Sequence, residues 1–151
     1  MMKIRTFVLD DYEEVVKMYF DFTTEVFSNR RTISPIYFFY KEITRWINSD
    51  KHIILACEDD KILGFSMSYV DSFNGLTQSI YNCEIAYVKP TYRKTRAAYM
   101  LYKNGYNMSK ELGLNIHTNG RISNGVSKMM KKHFDLEEQF INFEGVNNGK
   151  R

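Results

Sequence analysis

The sequence predicts a mixed α/β (α+β) fold around one central sheet. Three observations carry that reading. Apolar spacing alternates along the chain between helical and strand periods, in the order strand, two helices, antiparallel strands, helix, strand, helix, strand. An acidic turn, Asp59-Asp60, joins two apolar runs as a hairpin would. A third apolar run, Ile80–Val88, stops just before Pro90 and passes through a basic turn into a helix.

Residues 4–9 read as a short strand. Asp10 then caps a helix, with Glu13 as its capping-box partner, and Tyr12, Val15, Val16 and Tyr19 follow at helical spacing. Residues 28–32 are a polar loop. Ser34-Pro35 opens a second helix, serine at the cap and proline in the first turn, with Ile36, Phe39, Ile43, Trp46 and Ile47 on its buried face. His52–Glu58 is a strand, and residues 61–70 form the returning one, where Leu63, Phe65, Met67 and Tyr69 alternate onto one face. A loop at 71–77 contains Asn74-Gly75. Beyond the basic turn, Ala98, Leu101, Gly105, Met108 and Leu112 make a helical stripe closed by Gly113. Asn115–Thr118 is a short strand, and Asn119-Gly120 opens a loop. Ile122, Val126, Met129, Met130 and His133 mark a last helix, and residues 134–143 return to strand periodicity.

At 151 residues, 44% hydrophobic and 26% charged, the chain is one globular domain, expected at 1–146 with a frayed tail at 147–151. No apolar run has the roughly 18 to 20 residues that a membrane span needs. The first residues lack the apolar core of a secretion signal. Cys57 and Cys83 sit in strand-like runs and are expected as buried thiols in a reducing cytoplasm. No metal-ligand spacing is visible. The net charge of +3 is too mild to argue for nucleic acid. A nucleic-acid reading would have to use the basic turn with Tyr92 and Tyr99 as stacking residues.

The basic turn is the most informative segment. Arg93, Lys94 and Arg96 put three positive charges into four residues, and the helix that follows begins with the small Ala97 and Ala98. A helix N-terminus with outward N–H groups, a positive dipole end and little side-chain bulk is suited to a phosphate.

This order of elements, with Val88-x-Pro90 before the turn, resembles the GNAT superfamily of acyl-CoA-dependent N-acyltransferases over nearly the whole chain. The family's pyrophosphate loop opens on Arg or Gln and ends on Gly or Ala, as Arg93 and Ala98 do here. Leu63-Gly64-Phe65 is similar to the family's second hairpin, and His133-Phe134 stands where Gly-Phe is usual. Two departures stand out. Arg96 and Lys94 occupy positions where glycines are common; an Arg-Ala-Ala tract here is similar to that of phage-type members. A tyrosine on the last helix, the usual acid to the departing thiolate, is replaced near Met129, so no acid is assigned.

The resemblance implies a central mixed, mostly antiparallel sheet flanked by about four helices, with acetyl-CoA as acyl donor and CoA as product. An amine-bearing substrate would be the acceptor, and a homodimer is common in such families. Backbone of Glu84, Ile85, Ala86, Tyr87 and Val88 would pair with the pantetheine arm. Arg93, Lys94, Thr95, Arg96, Ala97 and Ala98 would hold the pyrophosphate. Asn124, in the polar cluster Asn119, Arg121, Ser123 and Asn124, would contact CoA, or else belong to ordinary turn and cap chemistry. Glu84, a carboxylate inside an apolar strand, is either a general base for the amine or half of a structural salt bridge. His117, at the end of the neighbouring strand, is the alternative base or a polar rim residue. Lys128, Lys131 and Lys132 reach the CoA 3′-phosphate or form a solvated face. Exposed aromatics among Tyr19, Phe20, Phe22, Phe27, Tyr37, Phe38 and Tyr40 would set acceptor choice. The rival to direct acetyl transfer is a catalytically inactive module of the same fold, binding CoA or a protein partner.

Overall fold

Among the described residues, five strands form one sheet in the order β1 (Met2–Thr6), β2 (His52–Glu58), β3 (Lys61–Asp71), β4 (Ile80–Val88) and β5 (Asn115–Thr118). All neighbours are antiparallel except β4 and β5, which run parallel. This computed structural model describes residues 1–27, 35–72, 79–118 and 126–134. Its contacts divide the chain into two compact units, Met1–Asn119 and Gly120–Arg151. The predicted loop at 28–32, most of the one at 71–77, the loop opened by Asn119-Gly120, Ile122 of the last predicted helix and the run at 135–151 lie outside the described residues. In the second unit the described element is α5 (Val126–Phe134), in which Phe134 is helical rather than the start of a strand.

In the first unit, helices cover both faces of the sheet. α1 (Tyr12–Phe27) and the segment formed by α2 (Pro35–Phe38), a π turn (Phe39–Ile43) and α3 (Thr44–Ile47) cover one face. Val15, Met18, Tyr19, Phe38 and Ile43 pack there on Ile53, Leu55, Phe65, Met67, Ile85 and Tyr87. α4 (Ala97–Glu111) covers the other face, where Ala97 and Leu101 meet Ile54, Ala56, Leu63 and Val88. The strands that are buried on both faces read as near-continuous apolar runs for that reason.

Several sequence expectations shift in phase. β1 ends at Thr6, and a 3-10 turn (Leu9–Asp11) precedes α1. The carboxylate at this helix start is Asp11, not Asp10: its Oδ2 accepts the Val8 N–H at 3.0 Å, while Arg5 grips both of its oxygens at 2.7 Å. On β3, Leu63 is a bulge residue, because Ala56 pairs with Gly64 and Cys57 with Ile62. The extra residue sends Leu63 to the α4 face while Phe65 and Met67 face α1. In the second helical segment the π turn adds a residue, and the buried face moves with it. Phe38 and Ile43 are buried, whereas Phe39 and Ile47 are exposed. On α4 the buried positions are Ala97, Leu101, Tyr102, Gly105 and Ser109, and Leu112 is exposed. Gly113 closes this helix as expected, at φ +66°, where a side chain would be strained.

Candidate active site

One extra residue decides the shape of β4. Ser68 pairs with Cys83 and Met67 with Ile85, so Glu84 has no partner across β3. Such a bulge bends the strand and re-aims its side chains. The change of face is visible on either side of it. Cys83 Sγ lies against α4, where it would meet a Cβ on Gly105 at 2.7 Å, while Ile85 and Tyr87 belong to the core under α1. Burial pushes the Cys83 thiol above its ordinary range, and both cysteines are free and buried, as expected.

Glu84 meets a buried charge. The Lys51 ammonium, its side chain 0% exposed, lies 2.7 Å from Glu84 Oε2 and also bonds Glu42 Oε2. Glu42 is equally buried and comes from the π turn, whose added residue brings a carboxylate inward. Glu84 keeps 27% of its side chain exposed. Lys41 reaches the same group from the rim, 3.5 Å from Glu42 Oε1 and 3.9 Å from Glu84 Oε1. The Tyr19 hydroxyl donates to Glu42 Oε1 at 3.4 Å. Burial, and then the Glu42 charge, push that phenol well above the usual tyrosine range, so it stays a neutral donor.

The network continues along the sheet. The Tyr69 ring lies under Arg45 at 4.5 Å and Lys51 at 5.3 Å. Asn82 Nδ2 donates to the Tyr69 hydroxyl at 2.9 Å, and Asn82 Oδ1 lies 3.3 Å from His117 Nδ1. An amide oxygen only accepts, so in this bond the His117 Nδ1 carries the proton. Glu84 and His117 thus sit on one connected polar strip. Lys51 and Glu42 were missed by sequence reasoning. A lysine after Asp50 reads as a turn residue, and a glutamate in a helix reads as solvated. The one signal was Glu84 itself, which demanded a counter-charge.

β5 pairs only with residues 80–83 of β4. Among the described residues, nothing pairs with 84–88 on the side away from β3. Backbone groups alternate along a strand, and since the Lys89 N–H donates to the Leu63 carbonyl of β3, it is Ala86 and Val88 that face this open side, while Ile85 and Tyr87 face β3. This open edge runs into the basic turn. Arg93 is engaged at this point: Nε donates to the Val88 carbonyl at 3.0 Å, and the guanidinium forks onto Glu25 of α1 at 2.7 and 2.5 Å. Its hydrogen bonds to Glu25 raise its pKa further above the ordinary arginine value. Lys89 pairs with Glu14, also of α1. Lys94 and Arg96 are exposed, the Arg96 guanidinium lying 5.6 Å from the Tyr99 ring. Thr95 Oγ1 accepts the Ala97 N–H at 3.3 Å, and the first α4 carbonyl bond runs from Met100 N to Arg96 O. The amide of Ala98 has no backbone acceptor among the described residues. Asn124 lies outside them.

Neither a family model nor a curated protein sequence matches the chain. Solved structures do. A transcriptional regulator from Bacillus halodurans superposes with a TM-score of 0.76 at 14% identity, covering 97% of this chain and 100% of the other. A predicted acetyltransferase from Clostridium acetobutylicum, solved with acetyl-CoA, superposes at 0.68 with 18% identity, covering 95% and 96%. An aminoglycoside acetyltransferase from an uncultured soil sample, solved with sisomicin, does so at 0.69 with 15% identity, covering 97% and 96%. The chain has the GNAT fold. Identities this low establish the fold and nothing finer.

The parting of β4 from β5 falls after Cys83, at the start of the segment 84–88. Tyr19 and Phe38 of the aromatic N-terminal wall are core residues, whereas Tyr37, Phe39 and Tyr40 are exposed. The ring of Tyr37 lies 5.8 Å from the Lys41 ammonium. Among the described residues no helix is long and apolar enough to cross a membrane.

Proposed function

We propose that this protein is an N-acetyltransferase, carrying an acetyl group from acetyl-CoA to a primary amine by direct transfer in a ternary complex. The observation that carries the reading is the open backbone edge of residues 84–88. It begins at the bulged Glu84 and ends at a basic turn and helix N-terminus. The small Ala98 with its amide unaccepted by backbone among the described residues, and the exposed Lys94 and Arg96, fit a pyrophosphate. Arg93 serves that cradle indirectly, by tying the turn to α1 through Glu25. The likeness to a solved structure holding acetyl-CoA supports the same donor.

Acetyl-CoA supplies an activated thioester carbonyl. In this reading a backbone N–H of β4 polarises that carbonyl, an oxyanion-type contact. Glu84, directly or through water, takes the proton of the amine; the C–N bond forms, the C–S bond breaks and CoA leaves as thiolate. His117 Nε2, on the same polar strip through Asn82, is the second acceptor position. Tyr37, Phe39 and Tyr40 line the acceptor's approach. A cytoplasmic setting, with its acetyl-CoA supply, fits the reading.

The test is a Glu84→Gln variant. Acetyl-CoA binding should survive while kcat falls by about 10²-fold or more, the usual weight of a positioned general base. Full turnover on the true acceptor with intact binding would remove Glu84 from the mechanism. The Arg96 and Lys94 departures favour a second reading, a module of this fold that binds CoA without turnover. It predicts acetyl-CoA binding with no acetyl transfer to any acceptor.

A further inference from the structure

The proposed transfer gives Glu84 a task and leaves the two most deeply buried charges beside it, Lys51 and Glu42, without one. Stability does not account for them. Taking an ammonium and a carboxylate out of water costs about what their attraction returns, and apolar replacements of such pairs are often neutral or better. The geometry does account for them. Lys51 contacts Glu84 through Oε2 alone, at 2.7 Å, and leaves Oε1 beside the half-exposed Lys41 at the rim. We propose that Lys51 is a positioning residue: its buried ammonium fixes the Glu84 carboxylate by one oxygen and presents the other to the acceptor amine. This rests on the reading of Glu84 as proton acceptor.

Glu42 completes the device. Each time Glu84 takes a proton it loses its charge, and Lys51 alone would then be an unpaired ammonium in the interior, a costly state. Glu42 is a permanent counter-charge on the other side of Lys51, itself steadied by the Tyr19 hydroxyl at 3.4 Å. The π turn is what lets a helical residue serve this purpose. The groups facing Glu84 and Lys51 are therefore Glu42 and Lys41 from the π turn, Tyr19 from α1, Tyr69 from β3 and, across the Tyr69 ring, Arg45 from α3.

The experiment measures kcat and the KM for acetyl-CoA in the full chain, with sisomicin or a lysine peptide as acceptor and CoA release as the signal. It compares wild type with Lys51→Met and with Glu42→Gln/Lys51→Met. The double variant removes both interior charges, so its folding does not require Glu42 to survive alone; circular dichroism checks this. In both Lys51 variants kcat should fall about tenfold or more with the KM for acetyl-CoA little changed, because the base is still present but no longer held. An unchanged kcat in the folded double variant overturns the proposal while leaving Glu84 as base. Full turnover by Glu84→Gln would instead overturn the base reading on which the proposal stands.

Discussion

Gly64 shows how much one missing methyl group can decide. It pairs with Val88 on β4 and with Ala56 on β2, in the middle of the sheet. A Cβ at this position would run into the Tyr87 carbonyl and lie 3.0 Å from Val88 Cα. Those are backbone atoms and cannot rotate away. The Tyr87 carbonyl faces β3, and the next one, that of Val88, faces the open side and accepts from Arg93. Gly64→Ala should therefore destabilise the fold by about 1–3 kcal/mol, as overpacking typically does. The midpoint of denaturant unfolding at unchanged slope measures it. A variant as stable as wild type would show that β4 yields at no cost. Glu84 is the opposite case at the same scale. Its placement in an apolar strand made it visible in the sequence, but the residues that answer it, Lys51 and Glu42, lie 33 and 42 positions earlier. Nothing in their own neighbourhoods marks them, because only the fold brings them together.

At the scale of elements, the start of α1 depends on one carboxylate. Asp11 accepts two bonds from Arg5 and one from the Val8 amide, and those contacts, the Arg5 bonds foremost, hold its pKa below the ordinary value of 3.8. In the unfolded chain the group returns to that ordinary value. Its contribution is thus complete above the unfolded pKa and disappears as pH falls below about 3.8 toward the folded value. Asp11→Asn should lower stability at pH 7 and flatten the stability–pH curve in that acid window. Equal slopes for the two proteins between about pH 4 and 2, measured by urea unfolding, would deny Asp11 this part. Over the described residues, the element-level reading of the sequence succeeded in the order of strands and helices and failed in their phase. β3, β4 and the second helical segment each contain one extra residue, at Leu63, at Glu84 and in the π turn. Periodicity assumes a constant repeat, so a single inserted residue sends every later side chain to another face without altering the apolar count that predicts the element. The predicted stripe Phe39 and Ile47 is exposed for this reason, and Glu42 is buried for the same one. Two of these three irregularities shape the candidate site, where strained or irregular backbone tends to collect.

On the scale of the whole first unit, the basic turn is less a free patch of charge than a joint between layers. Arg93 and Lys89 are both held by carboxylates of α1, Glu25 and Glu14, across the end of β4. These pairs are half-exposed and worth little as stability; what they do is fix where the α4 N-terminus points. Ligand binding then reports on the entire arrangement, because acetyl-CoA would engage the β4 edge and the α4 N-terminus only when both are in register. At 100 times its dissociation constant a ligand specific for the native state adds about 2.7 kcal/mol. For a chain of this size that is about 5–10 °C in unfolding midpoint. Wild type with acetyl-CoA should show such an upshift. Arg96→Glu should shrink it by placing an anion at the pyrophosphate. Arg93→Glu/Arg96→Glu should abolish it, since the first change also sets a second carboxylate against Glu25 and releases the turn from α1. Thermal unfolding of the three proteins, with and without millimolar acetyl-CoA, separates the outcomes. An upshift that survives the double change would place the ligand away from this turn. Its absence in wild type would mean that arginine and lysine in the glycine positions have closed the cradle.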